Sequence, residues 1–272
     1  MTQTKIKDVN NYTELSIQIS LSGLSFCILQ KETNTISYLN HFSFNKKLNP
    51  FALLDQLKQL FNTEEALQKQ FDAVYIIHVN ELATLVPKAL FNEDNIADYL
   101  KFNSKILKSD YITYDDIKLN ESVNVYVPYV NINNFIYEKF GAFTFKHFST
   151  ILIEQILLLE KNNTSTKIYA HVSSNHFELV ITKDGKLLLY NSFEYNSEED
   201  FIYYLLFTAE QLHLNPEQVE LVFLGDITKD DAIYNITYKY IRHIHFGNRN
   251  DNYKYTKTPN TNHSNFTLIK SF

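Results

Sequence analysis

Histidines, serines and paired acids are the residues of this chain whose types and spacing could do chemistry. Arg242-His243-Ile244-His245 sets two imidazoles two residues apart, on one face if the segment is a strand, as some metal sites do. No carboxylate or third histidine stands at a companion spacing, so the reading is an ordinary strand face and no metal is expected. His171, Ser173 and His176 bring a hydroxyl and two imidazoles close together in sequence. A nucleophile also needs an oriented base and an oxyanion site, and neither is visible, so polar alternation on a hairpin accounts for them. Asp115-Asp116 and Asp230-Asp231 make poor acid and base pairs, because neighbours on a strand point to opposite faces; turns and helix caps are their expected roles. Cys27, the one cysteine, excludes an intrachain disulfide and a multi-cysteine zinc site, and reads as core on an apolar strand face.

The elements that must position these residues follow from hydrophobic periodicity. Glu14–Ser22, Leu24–Lys31 and Thr35–Phe44 alternate apolar and polar residues, as three half-buried antiparallel strands do. Asn49-Pro50 then supplies a cap and a first-turn proline to a helix carrying Phe51, Leu54, Leu57, Leu60 and Phe61. Asp72–Val79 is a compact β-branched and aromatic run, a buried strand. Next come Leu85–Phe91, a helix expected over Asp94–Leu107, and short strands at Tyr111–Tyr114 and Val123–Val127. A helix over Asn131–Phe140, a strand at Ala142–Phe148 and an apolar-faced helix at Ser149–Lys161 complete the half. Beyond the polar joint Lys161–Lys167 the order restarts. Strands are expected at Ile168–Ser174, His176–Thr182 and Lys186–Phe193, the last two turned at Asp184-Gly185. A helix follows, capped by Ser197 with Glu198, Glu199 and Asp200 near its positive end, then a buried strand at Val219–Leu224. Asp230–Tyr240 and Ile241–His245 read as one more helix and strand. The two halves superpose at a constant offset, so that Gln18 aligns with His171 and Ser20 with Ser173. The expected organisation is a first lobe over 1–163, a second over 164–247, and a basic tail over 248–272 that packs on the body or is partly disordered.

Composition narrows the function classes. Nineteen Tyr and 21 Phe supply a large core, while five Gly leave little material for phosphate-cradling loops. A net charge of −6 argues against general nucleic-acid binding. From Arg242 onward, however, five basic residues stand against Asp251 alone, with Tyr253 and Tyr255 as candidate stacking platforms. The start, Met1–Asn11, lacks the pattern of a secretory signal, and Ile151–Leu159 is too short to span a bilayer, so a cytoplasmic location is expected.

A three-stranded meander, a helix and a returning strand, present twice, resembles the ribonuclease-H-like lobes of the actin-like ATPase superfamily. The fold class implied is α/β with mixed sheets. Tyr75-Ile76-Ile77 and Leu221–Asp226 also resemble buried strands of pilus-assembly actin-like proteins. Thr84–Phe91 is similar to the signature of an uncharacterised Bacteroidetes domain-of-unknown-function family with that fold. In active superfamily members an apolar-Asp-apolar-Gly motif follows the first strand of each lobe, where Asp orients Mg²⁺ and Gly admits the phosphates. This resemblance places Gln18 and His171 at the Asp positions, and Ser20 and Ser173 at the Gly positions. Gly225-Asp226 falls where a Gly-Gly turn would hold adenosine.

The implied reading is a catalytically inactive actin-like protein that binds or scaffolds a protein partner, without ATP or Mg²⁺ and with ATP hydrolysis absent. Exposed hairpin edges would allow a homodimer. One alternative is a nucleotide-dependent ATPase or kinase with atypical metal ligands such as Asp226. Another is an RNA- or ribosome-linked accessory factor that works through the tail.

Overall fold

The computed structural model describes residues 12–102 and 104–272, so the polar stretch Met1–Asn11 lies outside the described residues. Among the described residues the strands form three sheets. The first lobe opens with the meander β1 (Thr13–Ser20), β2 (Gly23–Gln30) and β3 (Thr35–Ser43). Helix α1 (Pro50–Thr63) begins where Asn49 caps it, the side-chain oxygen accepting from Phe51 N and Ala52 N. Strand β4 (Ala73–His78) then returns parallel to β1.

An inserted unit follows, with β5 (Ala83–Pro87), α2 (Ile96–Lys101), β6 (Thr113–Ile117) and β7 (Ser122–Tyr126) forming the small sheet β5-β7-β6. The helix expected over Asp94–Leu107 is contradicted. A 3₁₀ turn at Glu93–Asn95 precedes α2, which stops at Lys101. Only Leu100 of α2 is buried, and the chain beyond closes a separate turn in which Asp110 accepts from Leu107 N. Helix α3 (Val130–Phe140), β8 (Thr144–His147) and α4 (Phe148–Glu160) complete the lobe.

The second lobe repeats the order with β9 (Lys167–Val172), β10 (His176–Lys183), β11 (Lys186–Glu194), α5 (Glu198–Gln211), β12 (Glu220–Gly225), α6 (Ala232–Tyr240) and β13 (His243–Phe246). Its sheet order, β11-β10-β9-β12-β13, matches β3-β2-β1-β4-β8 of the first lobe strand for strand. The register carries the same correspondence: Gln18 faces Ser25 in one hairpin and His171 faces Glu178 in the other.

The remaining segment, Asn248–Phe272, holds β14 (Lys254–Tyr255) and α7 (Phe266–Ile269). Strand β14 extends the first sheet by pairing with β3, and Phe266, Leu268 and Ile269 are buried. Each of the two large sheets buries one face against its own helices, α1 and α3 or α5 and α6. The opposite faces share a central core filled by α4 and α7, with Cys27, Ile77, Val180 and Leu224 among its members. Helix α4 buries Ile151, Leu152, Ile153, Ile156 and Leu157 in this core, while Glu154 pairs with Lys146 and Leu158 is exposed.

Candidate functional site

Two hairpin turns, Ser20–Gly23 and Ser173–His176, end at the cleft between the lobes. Gln18, Ser20, His171, Ser173, Gly225 and Asp226 all line this one opening, a cleft of about 890 Å³. Parallel pairing sets their depth. Gly225 lies beside Val172, and the first lobe has His78 beside Ile19 at the equivalent place. Gly225 adopts φ +83°, and a Cβ there would stand 2.3 Å from the Val172 carbonyl oxygen, so only glycine fits.

Gln18, Ser20, Ser173 and Gly225 are bonded to the chain itself. The Gln18 side-chain oxygen accepts from the Thr267 hydroxyl of α7 at 2.7 Å. Ser20 Oγ closes its own turn, accepting from Gly23 N at 3.0 Å. Ser173 N donates to His176 O at 2.9 Å, and its carbonyl accepts from the Tyr195 hydroxyl. Gly225 N donates to His263 O at 3.0 Å, while His263 Nε2 donates to Ile227 O at 2.7 Å. Asp226 is exposed at the rim, its N–H held by Val172 O.

A buried ionisable cluster lies behind the second hairpin. Glu178 stands between two imidazoles, 3.2 Å from His171 Nδ1 and 3.3 Å from His176 Nε2. Burial alone would raise its carboxyl, but His176, His171 and the more distant His147 hold it below the usual carboxylate range. Glu178 is visible in the sequence as an acid inside an apolar strand, a signal that the motif comparison passed over.

His78 and His147 are buried on the first-lobe side. His147 caps α4, its Nδ1 accepting from Ser149 N at 3.2 Å and from Ser149 Oγ at 2.7 Å. Its Nε2 donates to Asn80 O at 3.2 Å. Asp115 reinforces this helix start from β6, accepting from His147 N at 2.9 Å, Thr150 Oγ1 at 2.7 Å and Tyr126 OH at 3.1 Å. Burial raises the Asp115 carboxyl. The aspartate thus caps a helix from a strand of another sheet, whereas Asp231 takes the local turn role, accepting from Thr228 N and Oγ1.

Other candidates separate from the cleft. His243 and His245 are exposed on β13, and among the described residues no three His, Cys, Asp or Glu side chains converge as a metal site. Cys27 is buried, which pushes its thiol up. In the tail, Arg249 is enclosed, pairs with Asp251 at 2.9 Å and donates to Thr261 O and Ser264 O. Tyr253 and Tyr255 pack against the central core, so the tail's stacking candidates and Arg249 are engaged internally.

A family model described as "Protein of unknown function (DUF3822)" matches residues 2–244. The chain belongs to this DUF3822 family. A solved protein of actin-like ATPase fold and unknown function from Bacteroides thetaiotaomicron is 26% identical to this DUF3822 chain, with a TM-score of 0.76 and coverage of 96% of this chain and 95% of that one. The PilM-PilN type IV pilus biogenesis complex aligns at 10% identity and TM-score 0.61, covering 95% and 97%. The ethanolamine utilization protein EutJ from Carboxydothermus hydrogenoformans aligns at 6% identity and TM-score 0.50, covering 95% and 88%. The search of curated proteins gives no match. The DUF3822 chain has the actin-like ATPase fold, and no helix among its described residues is long and apolar enough to cross a membrane.

Proposed function

We propose that this chain is a non-hydrolysing actin-like protein, built from two duplicated lobes, that works by binding a protein partner. The observation carrying this reading is the commitment of both acid positions: Gln18 to Thr267 and His171 to Glu178. Magnesium takes hard oxygen ligands in near-octahedral geometry, and a neutral amide already bonded to a hydroxyl, together with an imidazole bonded to a carboxylate, is a poor set for it. The donors do not fit the Mg-nucleotide of the fold family. The backbone N–H of Gly225, at the turn that would hold adenosine, is likewise taken by His263 O. Assembly has a precedent in the fold, since one structure that shares it is the PilM-PilN complex.

Thermal denaturation with and without Mg-ATP tests the proposal, because a ligand that binds only the folded state raises the midpoint. No shift is expected at millimolar nucleotide. Mg-dependent ATP turnover that disappears on Asp226→Ala would overturn the reading in favour of a working ATPase.

A further inference from the structure

We propose that the connection between α2 and β6, through Phe102 and residues 104–111, docks the protein on the surface of an anionic lipid bilayer. Three large apolar side chains stand out into solvent along it: Phe102 is 90% exposed, Leu107 68% and Tyr111 57%. Their exposure is not for want of anchoring. Leu100 is fully buried against Val86, Val123 and Val125, and Ile106 packs on the same small core. With those inward places filled, the alternate side chains are held outward. The turn at Leu107–Asp110 is closed by Asp110 N donating to Leu107 O at 3.1 Å and by Leu107 N donating to the Asp110 carboxylate at 2.8 Å.

Lysines are interleaved with these side chains. Lys101, Lys105 and Lys108 are exposed along the segment, and its single acid, Asp110, is occupied by the turn. Lys101 has a surface pair in Asp98, while Lys105 and Lys108 have no carboxylate partner among the described residues. The whole chain carries −6, so this basic, apolar patch runs against the charge of the body. Protein interfaces are depleted in lysine, whereas bilayer surfaces with anionic lipid attract it and accept aromatic and aliphatic side chains at the headgroup boundary. Stable peripheral attachment takes two signals, and insertion of Phe102 and Leu107 beside a lysine collar provides both. This inference is independent of the reading of the cleft.

The test is sedimentation of the full chain with vesicles of phosphatidylcholine alone or mixed with phosphatidylglycerol. Binding is expected only to the mixed vesicles and should fall with added salt. Lys105→Glu with Lys108→Glu should weaken it by at least about 30-fold, counting roughly fivefold for each lysine lost from an anionic surface. Phe102→Ser with Leu107→Ser should weaken it by at least about tenfold, through lost apolar burial. All four side chains or their stems are exposed, so both double variants should keep the wild-type circular dichroism and melting midpoint. Wild-type protein that stays in the supernatant with mixed vesicles would overturn the proposal, as would a lysine variant that sediments like the wild type.

Discussion

Acidification should destabilise this protein early, through two buried imidazoles. His78 Nε2 donates to Asn133 at 3.0 Å, while its Nδ1 accepts from Tyr129 N at 3.3 Å. His147 has the same arrangement, with Nδ1 accepting from Ser149 N and Nε2 donating to Asn80 O. In both rings a second proton would have to enter at Nδ1, facing a backbone N–H that already donates there. Burial, with repulsion from His147, pushes His78 down to about 3; burial pushes His147 down to about 4. Unfolded, each imidazole titrates near its ordinary value of 6.5. Between that value and the folded one, the unfolded chain binds more protons, so stability is complete above pH 6.5 and is lost as pH falls. At pH 4.5 each ring contributes on the order of 2–3 kcal/mol of this loss, from roughly two units at 1.36 kcal/mol each, or about 5 kcal/mol together. That is a third or more of a typical domain's stability. Urea unfolding followed by circular dichroism at pH 7.5, 6.0 and 4.5 should show the fall, and NMR should find neither ring titrating above pH 5. A flat stability profile, or either histidine titrating near 6.5, would refute the reasoning.

Two further outcomes follow from the same packing. Gly225→Ala must place a Cβ 2.3 Å from a backbone oxygen at φ +83°, whereas Gly141→Ala, at φ +77°, meets nothing within 4 Å. The first should therefore lose about 3 kcal/mol or more and the second about 1–2 kcal/mol, from backbone strain alone; equal losses in urea unfolding would contradict the close approach at Gly225. Removal of residues 266–272 strips Phe266, Leu268 and Ile269 from the central core. At about 1.5–3 kcal/mol each this is roughly 5–9 kcal/mol, enough to prevent folding, and a cooperative wild-type-like melt of the truncated chain would show that α7 is dispensable.

What was legible in the sequence was local. Asn49 and Ser197 cap their helices as their types indicate, and Asp184-Gly185 turns its hairpin with φ of 53° and 70°. Alternation gave the strands, and the offset between Gln18 and His171 survives as equal register in two sheets. Three features escaped for physical reasons. Helix α7 is four residues long, too short for any periodicity, and its burial comes from contacts some 250 positions away along the chain. Histidine is not among the favoured N-caps, so α4 seemed to start at Ser149 rather than after His147. The helix over Asp94–Leu107 failed because Ile96, Tyr99, Leu100 and Ile106 serve a small separate core while Phe102 and Leu107 face solvent, so no continuous apolar face extends the helix past Lys101.

The same distinction between local and distant partners governs the cleft. Gln18 and Thr267 are 249 residues apart, so no spacing rule links them, yet the bond between them changes what Gln18 means. An unpaired amide at the mouth of a cleft is free to meet a ligand. An amide whose oxygen is already engaged by a buried helix instead ties the C-terminal segment to the first lobe's first strand. Ser271 bonding to Ser16 one turn further on repeats that tie. Substituting Asp at position 18 would set a carboxylate beside the Thr267 hydroxyl without supplying one at position 171, where the imidazole is held by Glu178. On the proposed reading, an acid restored at position 18 alone leaves position 171 an imidazole bonded to Glu178, so the pair of carboxylates stays incomplete.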